Sequence, residues 1–337
     1  MLDSSEVPSN KKEGRYTYDE SARGYDPTQG YARTFDALAG KQNMVRTAII
    51  DAKRLSTRIP IPLLTGDPSR VGLNPSVAIS PQGEMIVCLR TLPSGGSGTT
   101  GARTVNKIGR ISDGKLMIAA DLKEPASIKS MLGFEDVRLF YRGDELHGIA
   151  TVALSGGQSV GVAKSDVVTF RIVGDQIIDE KIVTSPRYER NWMPVVETDV
   201  AALAGLAGPQ RFIYSTDPLV VVTAASDIAA LKISGTLRGG SQVVAFGSSR
   251  IAVVHEVAGG SGKPVEYTHR FVVFDVGISS VKIGKPFFFQ KRGIEFASGL
   301  VVTKDDSGEH LWIAYGVEDK RAFLAEVPDD TLKEVLP

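Results

Sequence analysis

The chain has 337 residues and a single cysteine, Cys88, so it can form no intrachain disulfide and no cysteine-based zinc site. It has no excess of either charge: 39 Lys and Arg balance 39 Asp and Glu, for a formal net charge of zero. A general nucleic-acid binder would show a basic excess, so nucleic acid is not an expected partner. A local basic pocket for an anion is still compatible with neutrality. No apolar run approaches the roughly 18 residues that a membrane-spanning helix needs. The first residues, Met-Leu-Asp-Ser-Ser-Glu-Val-Pro, are polar and lack the apolar stretch of a secretory signal. One thiol and no signal suit a reducing, cytoplasmic setting. Histidine is scarce, with four in all, and helical periodicity is scarce too.

What the chain does contain is many short apolar runs. Val77-Ala78-Ile79, Met85-Ile86-Val87-Cys88-Leu89, Gly148-Ile149-Ala150-Thr151-Val152-Ala153-Leu154, Arg250-Ile251-Ala252-Val253-Val254-His255 and His310-Leu311-Trp312-Ile313-Ala314-Tyr315 are rich in β-branched and aromatic residues. Gly, Asp, Asn, Pro and Ser separate them at the spacing of successive antiparallel strands, which predicts a sandwich, barrel or propeller. The glycine-, serine- and threonine-rich stretch 93–101 reads as a loop at a channel mouth, a hairpin tip or a plain surface loop. Short helices are expected at 35–56, 199–206 and 329–335. Residues 1–34 are polar with few aliphatics and read as an extended arm or disordered leader. The expected division is a leader at 1–56 and an all-β domain at 57–337. The leader also suits a piece of a larger multidomain protein, or an arm for homo-oligomeric assembly.

Charged and polar islands interrupt the strand ends. They are Phe134-Glu135-Asp136-Val137-Arg138, Arg190-Asn191 ahead of Trp192-Met193-Pro194, Arg238-Gly239-Gly240-Ser241, His255-Glu256 with Tyr267-Thr268-His269-Arg270, and Gly316-Val317-Glu318-Asp319. They recur roughly every 50–60 residues, a period that suits propeller blades. A propeller gathers its blades around one central channel, so residues far apart in sequence would meet in one polar site.

Each island has a functional and a plain reading. Asp136 can hydrogen-bond a substrate hydroxyl or protonate a leaving oxygen. Arg138, two residues along an extended strand, shares its face and can orient it or bind an anion. A turn-closing Asp–Arg pair is the plain alternative. Glu135 alternates to the other face as a supporting partner. Arg190 and Asn191, with Lys181 nearby, suit a phosphate or carboxylate, or else form a solvated basic turn. Trp192, beside Met and Pro, reads as core rather than as a platform for a sugar. Gly239 and Gly240 beside Arg238 mark a bulge, a close approach to a ligand, or a tight turn. His255 and His269 fall on adjacent strands with no third ligand spaced near them. Contact with hydroxyls or phosphate is therefore preferred to a metal, and His269 beside Arg270 can equally be structural. Glu295, between Ile294 and Phe296, is desolvated and functional, paired with a buried arginine, or solvent-facing by strand alternation. Glu318 and Asp319, followed by Lys320-Arg321, are site acids or a solvated acidic turn.

Taken in order, Asn74-Pro75, Glu135-Asp136-Val137-Arg138, Arg190-Asn191 before a proline, Arg238-Gly239-Gly240-Ser241, His255 with Tyr267, and Gly316-Val317-Glu318-Asp319 resemble the five-bladed β-propeller enzymes of glycoside hydrolase family 130. That family consists largely of β-mannoside phosphorylases, and related mannosyltransferases share its fold. The resemblance covers about residues 73–327. It implies an all-β, five-bladed β-propeller behind an extended or helical leader. It also implies an inverting phosphorylase or glycosyltransferase with Asp136 as general acid and Arg90, Arg190 and His255 at a phosphate. The candidate substrate-binding set is Asn74, Glu135, Arg138, Asn191, Arg238, Tyr267, His269, Glu295, Glu318 and Asp319. Two positions depart from the family pattern: Val137 stands where the family has Pro, and Arg190 where it usually has Lys. No cofactor or metal is called for; inorganic phosphate or a sugar phosphate would be a substrate, and the expected partner is a small carbohydrate. An inverting hydrolase with Glu295 or Glu318 as base, and a non-catalytic carbohydrate-binding propeller, are the competing readings.

Overall fold

The computed structural model describes residues 51–58, 60–94, 103–154, 164–183, 190–197, 209–223, 236–260 and 263–337. The leader before residue 51, most of the loop at 93–101 and the helix expected at 199–206 lie outside the described residues.

The β-branched and aromatic runs form strands that pair mostly with their sequence neighbours, and the described residues make five sheets. We number these as blades in chain order. Blade I holds Arg70–Ile79, Met85–Pro93, Val105–Ser112 and Lys115–Asp121. Blade II holds Ser130–Arg142, Glu145–Leu154, Lys164–Val173 and Gln176–Val183. Blade III is shorter among the described residues, with Met193–Pro194, Phe212–Thr216 and Leu219–Val222. Blade IV is built on the long hairpin Ser249–Gly260 and Lys263–Phe274, with Arg238–Gly239 and Val244–Phe246 beside it. Blade V holds Glu295–Asp305, Gly308–Val317 and Arg321–Val327. The hairpins turn where the sequence permits it. Asp113 and Gly114 both take positive φ, 50° and 67°, in a two-residue loop that joins Ser112 to Lys115. The helix expected at the C-terminus is present as Asp329–Val335.

The β-propeller arrangement shows in how the apolar faces are buried. Five buried clusters each join two blades that are neighbours around a closed ring. Ile108 of blade I packs with Phe134 and Phe170 of blade II. Phe140 and Ile149 of blade II pack with Trp192 and Phe212 of blade III. Met193 and Ile213 of blade III meet Ala252 and Phe274 of blade IV. Ile251 and Phe271 of blade IV meet Leu300 and Tyr315 of blade V. Val301 and Leu324 of blade V return to Val77 and Leu89 of blade I. Trp192 is 1% exposed and serves this packing, as its apolar neighbours suggested. The early chain fastens the ring: Ile61–Pro62 adds an outer strand to blade V, and Lys53–Arg54 pairs in parallel with Phe287–Phe288 in blade IV. Lys53–Arg54 thus enters a sheet ahead of the boundary expected at residue 57.

The innermost strands are joined by side chains that bond to the backbone of another blade. Gln242 donates to the Val77 carbonyl (2.6 Å) and accepts from the Leu300 amide (3.2 Å), so it ties blades IV, I and V. The Ser76 hydroxyl accepts from the Leu139 amide, and Ser298 donates to the Pro75 carbonyl. Gly239 and Gly240 let blade IV approach this closely. A Cβ on Gly239 would lie 2.0 Å from the Asn191 carbonyl, and one on Gly240 would lie 2.8 Å from the Ala297 carbonyl of blade V. The glycine pair answers to neighbouring backbone, the structural counterpart of the close-approach reading. Replacing Gln242 by methionine keeps the volume but strands two buried backbone groups, each worth about 1–3 kcal/mol. Urea unfolding of Gln242→Met should therefore show a loss of about 3 kcal/mol.

Candidate functional site

The innermost strands converge on a cavity of about 120 Å³ whose walls draw on every blade. Asn74 comes from blade I and Asp136 from blade II. Arg190 and Asn191 precede blade III, Arg238, His255 and Tyr267 come from blade IV, and Ile294, Phe296 and Asp319 belong to blade V. Eight of these ten were singled out in the sequence. A wider cleft of about 320 Å³ beside Tyr141, Glu145 and Arg171 takes in none of the candidates.

A shared backbone feature aims the polar walls. Asn74, Asp136, Asn191 and Asp319 have φ of 41°, 52°, 62° and 52°, in the left-handed region. Asn and Asp enter this region more readily than other non-glycine residues. At Asn74 and Asp136 the pairing register shifts, between Leu73 and Ser76 and between Glu135 and Arg138. Such a bulge breaks the regular alternation and re-aims a side chain. Residues held in this way cluster at functional sites.

Asp136 is the best-held group. Its Oδ1 accepts from Asn74 Nδ2 at 2.8 Å and from Arg90 Nη1 at 2.7 Å. Burial acts to raise its carboxyl, but Arg90, the Asn74 amide and Arg138 outweigh burial and hold it below the usual aspartate range. It is a carboxylate at neutral pH. Arg90 also reaches Glu135 Oε1 at 3.4 Å and donates to Thr104 Oγ1 at 3.2 Å. Glu135 is nevertheless raised, because burial exceeds the pull of Arg90 and the Asp136 charge adds to it. Asp319 is raised by burial and then by Asp136, with Arg90 offsetting part of the effect. His255 is pushed well down by burial, then by His269 and Arg238, so it is neutral. It stacks on Tyr267 (5.6 Å) and meets the Phe296 ring edge-on (5.0 Å). Burial and the Asp319 charge raise Tyr267, which therefore keeps its proton.

The structure moves several expected site residues away from the cavity. Arg138 was expected beside Asp136 on one strand face; the bulge ends that alternation, and its guanidinium is buried behind the wall. It donates to the Gly240 carbonyl, to Asn191 Oδ1 (3.0 Å) and to the Asp136 carbonyl (3.3 Å). Burial lowers it to about 10. Arg90, expected at a phosphate, is engaged by Asp136 and Glu135 and does not line the cavity. His269 pairs directly across from His255, one strand further out, where Phe287 and Phe289 enclose it (5.9 and 4.8 Å). Burial drops it to about 3, and neither ring nitrogen has a partner. Glu295 turns away from the cavity to accept from the backbone amides of Phe289, Gln290 and Lys291 at 2.6, 2.8 and 3.0 Å. Glu318 is exposed and paired with Lys291 and Arg321. Arg190 does line the cavity, donating to Ser165 Oγ at 3.0 Å.

Ile294 and Phe296 were missed as walls, yet the signal was in the sequence. Alternate residues of a strand face the same way, so a Glu295 turned outward places both its neighbours inward. Attention to the charged residue selected the wrong face.

Solved structures with this fold include a mannose phosphorylase from Leishmania mexicana in complex with a phosphate ion. It is 14% identical, with 89% of this chain and 96% of that one covered, at a TM-score of 0.55. A GDP-Man-dependent mannosyltransferase from the same organism is 12% identical, covering 86% and 94%, with a TM-score of 0.55. A β-1,2-mannobiose phosphorylase from Listeria innocua is 13% identical, covering 81% and 95%, with a TM-score of 0.51. No family model and no curated protein sequence matches the chain. The solved neighbours are the propeller proteins that the sequence resembles, and at these identities they establish the fold. No helix among the described residues is long and apolar enough to cross a membrane.

The Arg90 cluster makes a pH-dependent prediction. The titration of Asp136 is lowered on folding, so it stabilises the fold above the ordinary aspartate range, and that stability is lost as pH falls through its folded value. Arg90→Met leaves two buried carboxylates without their cation, at a cost of about 3–5 kcal/mol near neutrality. The deficit should shrink as both are protonated, which urea unfolding at pH 7 and at about pH 4 will measure.

Proposed function

We propose that the protein is a carbohydrate-active enzyme of the glycoside phosphorylase or glycosyltransferase type, acting on β-mannosides or similar sugars in the cytoplasm. One observation carries this reading: all five blades deliver polar side chains to one cavity, with two aspartates and two arginines in its walls. The fold shared with mannose-handling enzymes supports it.

In this reading Arg190 and Arg238 receive the phosphate of inorganic phosphate or of a sugar phosphate, as planar cations suited to bidentate contact. The neutral His255 and the Tyr267 hydroxyl supply further polar contacts without adding charge. Asn74, Asn191 and the two aspartates address sugar hydroxyls, and Phe296 and Ile294 give the ring an apolar surface. Asp136 is the central carboxylate. The resemblance gives it the proton of the leaving group, whereas its ionised state requires that proton to come from the substrate or from a neighbour. The hydrolase reading loses its two expected bases, because Glu295 is consumed by backbone amides and Glu318 by ion pairs.

Mannose 1-phosphate and GDP-mannose, each offered with a panel of sugar acceptors, will test this. Turnover from the sugar phosphate, reversed by inorganic phosphate and reduced at least about 100-fold in Asp136→Asn, is the expected result for a phosphorylase. Turnover from the nucleotide sugar alone would make it a transferase. No turnover from either donor, with sugar binding unchanged in Asp136→Asn, would sink the enzymatic reading in favour of a binding propeller.

A further inference from the structure

We propose that Glu295 is a positioning residue of the cavity. Its buried carboxylate gathers the loop ahead of blade V, and so fixes the short segment that supplies the Ile294 and Phe296 walls and steadies Tyr267 and the turn of Asp319. What the cavity does rests on the phosphorylase or transferase reading; the role of Glu295 goes beyond it, because that reading leaves this acid unused.

Glu295 is 1% exposed and opens the innermost strand of blade V. Both of its oxygens are occupied by backbone. Oε2 accepts from the Phe289 amide (2.6 Å), and Oε1 accepts from the amides of Gln290 (2.8 Å) and Lys291 (3.0 Å). Bonds to a charged acceptor are stronger than neutral ones. The dependence is mutual: a buried carboxylate is costly without donors, and buried amides must find acceptors. The loop is itself pinned on its other side. Phe289 stacks on Tyr315 (4.2 Å), and Gln290 donates to the Tyr315 hydroxyl (3.2 Å). Glu295 therefore links a fixed loop to the start of an inner strand.

The cavity hangs on that start. Glu295 faces away from it, so Ile294 and Phe296 face into it. Phe296 is 7% exposed and meets the His255 ring edge-on at 5.0 Å, while Ile294 is 37% exposed and lies nearer the rim. Two backbone bonds carry the restraint to neighbouring walls. The Gly293 carbonyl accepts from the Tyr267 amide (2.8 Å), which ties the segment to blade IV. The Ile294 carbonyl accepts from the Glu318 amide (2.8 Å), next to Asp319. Gly293 takes φ of 139°, a conformation that favours glycine and lets the chain turn into the strand.

Glutamine tests this with little change of shape. It keeps one accepting oxygen and puts an NH₂ group in place of the other, so a donor faces an amide donor. Either Phe289 or the Gln290 and Lys291 pair then loses its acceptor. The loop is released without a hole in the core.

Hydrogen exchange measured by NMR on the full-length protein, as wild type, Glu295→Gln and Val168→Ala, decides the question. Val168 is fully buried in the blade I–II cluster, so its truncation lowers overall stability without touching the segment. In Glu295→Gln the amides of residues 289–291, and with them those of Tyr267 and Glu318, should exchange at least about tenfold faster than in wild type. In Val168→Ala those five amides should not be singled out. Acceleration confined to 289–291 overturns the proposal, because the anchor would then be local. Equal acceleration at Tyr267 and Glu318 in Val168→Ala overturns it too, since the effect would report global opening. Should Glu295→Gln not fold, Glu295→Asp, which keeps both accepting oxygens at shorter reach, carries the same measurement with the same criteria.

Turnover supplies a readout that a loss of folded protein would not move. A smaller folded fraction lowers kcat and leaves KM alone, whereas a displaced wall weakens substrate binding. Glu295→Gln should raise KM for the sugar donor at least about tenfold, with a smaller fall in kcat. The pH–rate profile should keep its shape, because Glu295 exchanges no proton with substrate. An unchanged KM, or the loss of a limb of that profile, overturns the positioning role. If the wild type turns over neither donor, the mannoside reading falls, and the exchange measurement still decides whether Glu295 holds the wall.

Discussion

The site depends on the buried guanidinium of Arg138. It is 1% exposed, and its acceptors are the carbonyls of Gly240 and Asp136, the side-chain oxygen of Asn191 and, at 3.5 Å, the Gly239 carbonyl. One cation thereby fastens the backbone of blade II to blade IV and to the segment that enters blade III. A buried guanidinium is costly unless its donors are satisfied, and here they are met by oxygens that cannot move without opening the ring. Asp136 and Asn191 take their positions from this arrangement. The Phe296 ring, 5.9 Å from the guanidinium carbon, completes the enclosure.

Around that anchor the charges are sorted. Arg90 is committed to Asp136 and Glu135, so it sets the state of a carboxylate instead of meeting an anion. Arg190 and Arg238 stand in the cavity wall. His255 is neutral because burial and neighbouring cations oppose its protonation, and it can accept or donate without adding charge. The cavity thus combines a carboxylate fixed by two donors, Asp136, with a second aspartate, Asp319, and two arginines in its walls.

Much of this was legible along the chain. The alternation of apolar runs and turn residues specified strands, and the recurrence of polar islands specified blades. Asn74, Asp136, Asn191 and Asp319 stood out because small polar residues at strand ends have little to offer a core. Where the reading failed, the cause was geometric. Arg138 left the face of Asp136 because a bulge intervened. His269 lay one strand too far from the cavity. Glu295 pointed the other way and capped a loop, which made Ile294 and Phe296 the true walls.

The sequence by itself determined the strand content, the period of the blades and the residue types available to a polar site, since propensity, alternation and turn chemistry are local properties. Only the tertiary structure decided which charges meet. Asp136 lies 46 residues from Arg90 along the chain and 62 from Asn74, and Arg138 lies 102 from Gly240. Their pairing follows from the closure of five inter-blade cores into a ring. The Arg90 and Asn74 contacts that hold the Asp136 carboxyl below its ordinary range come from those distant partners, so they appear only once the ring is closed.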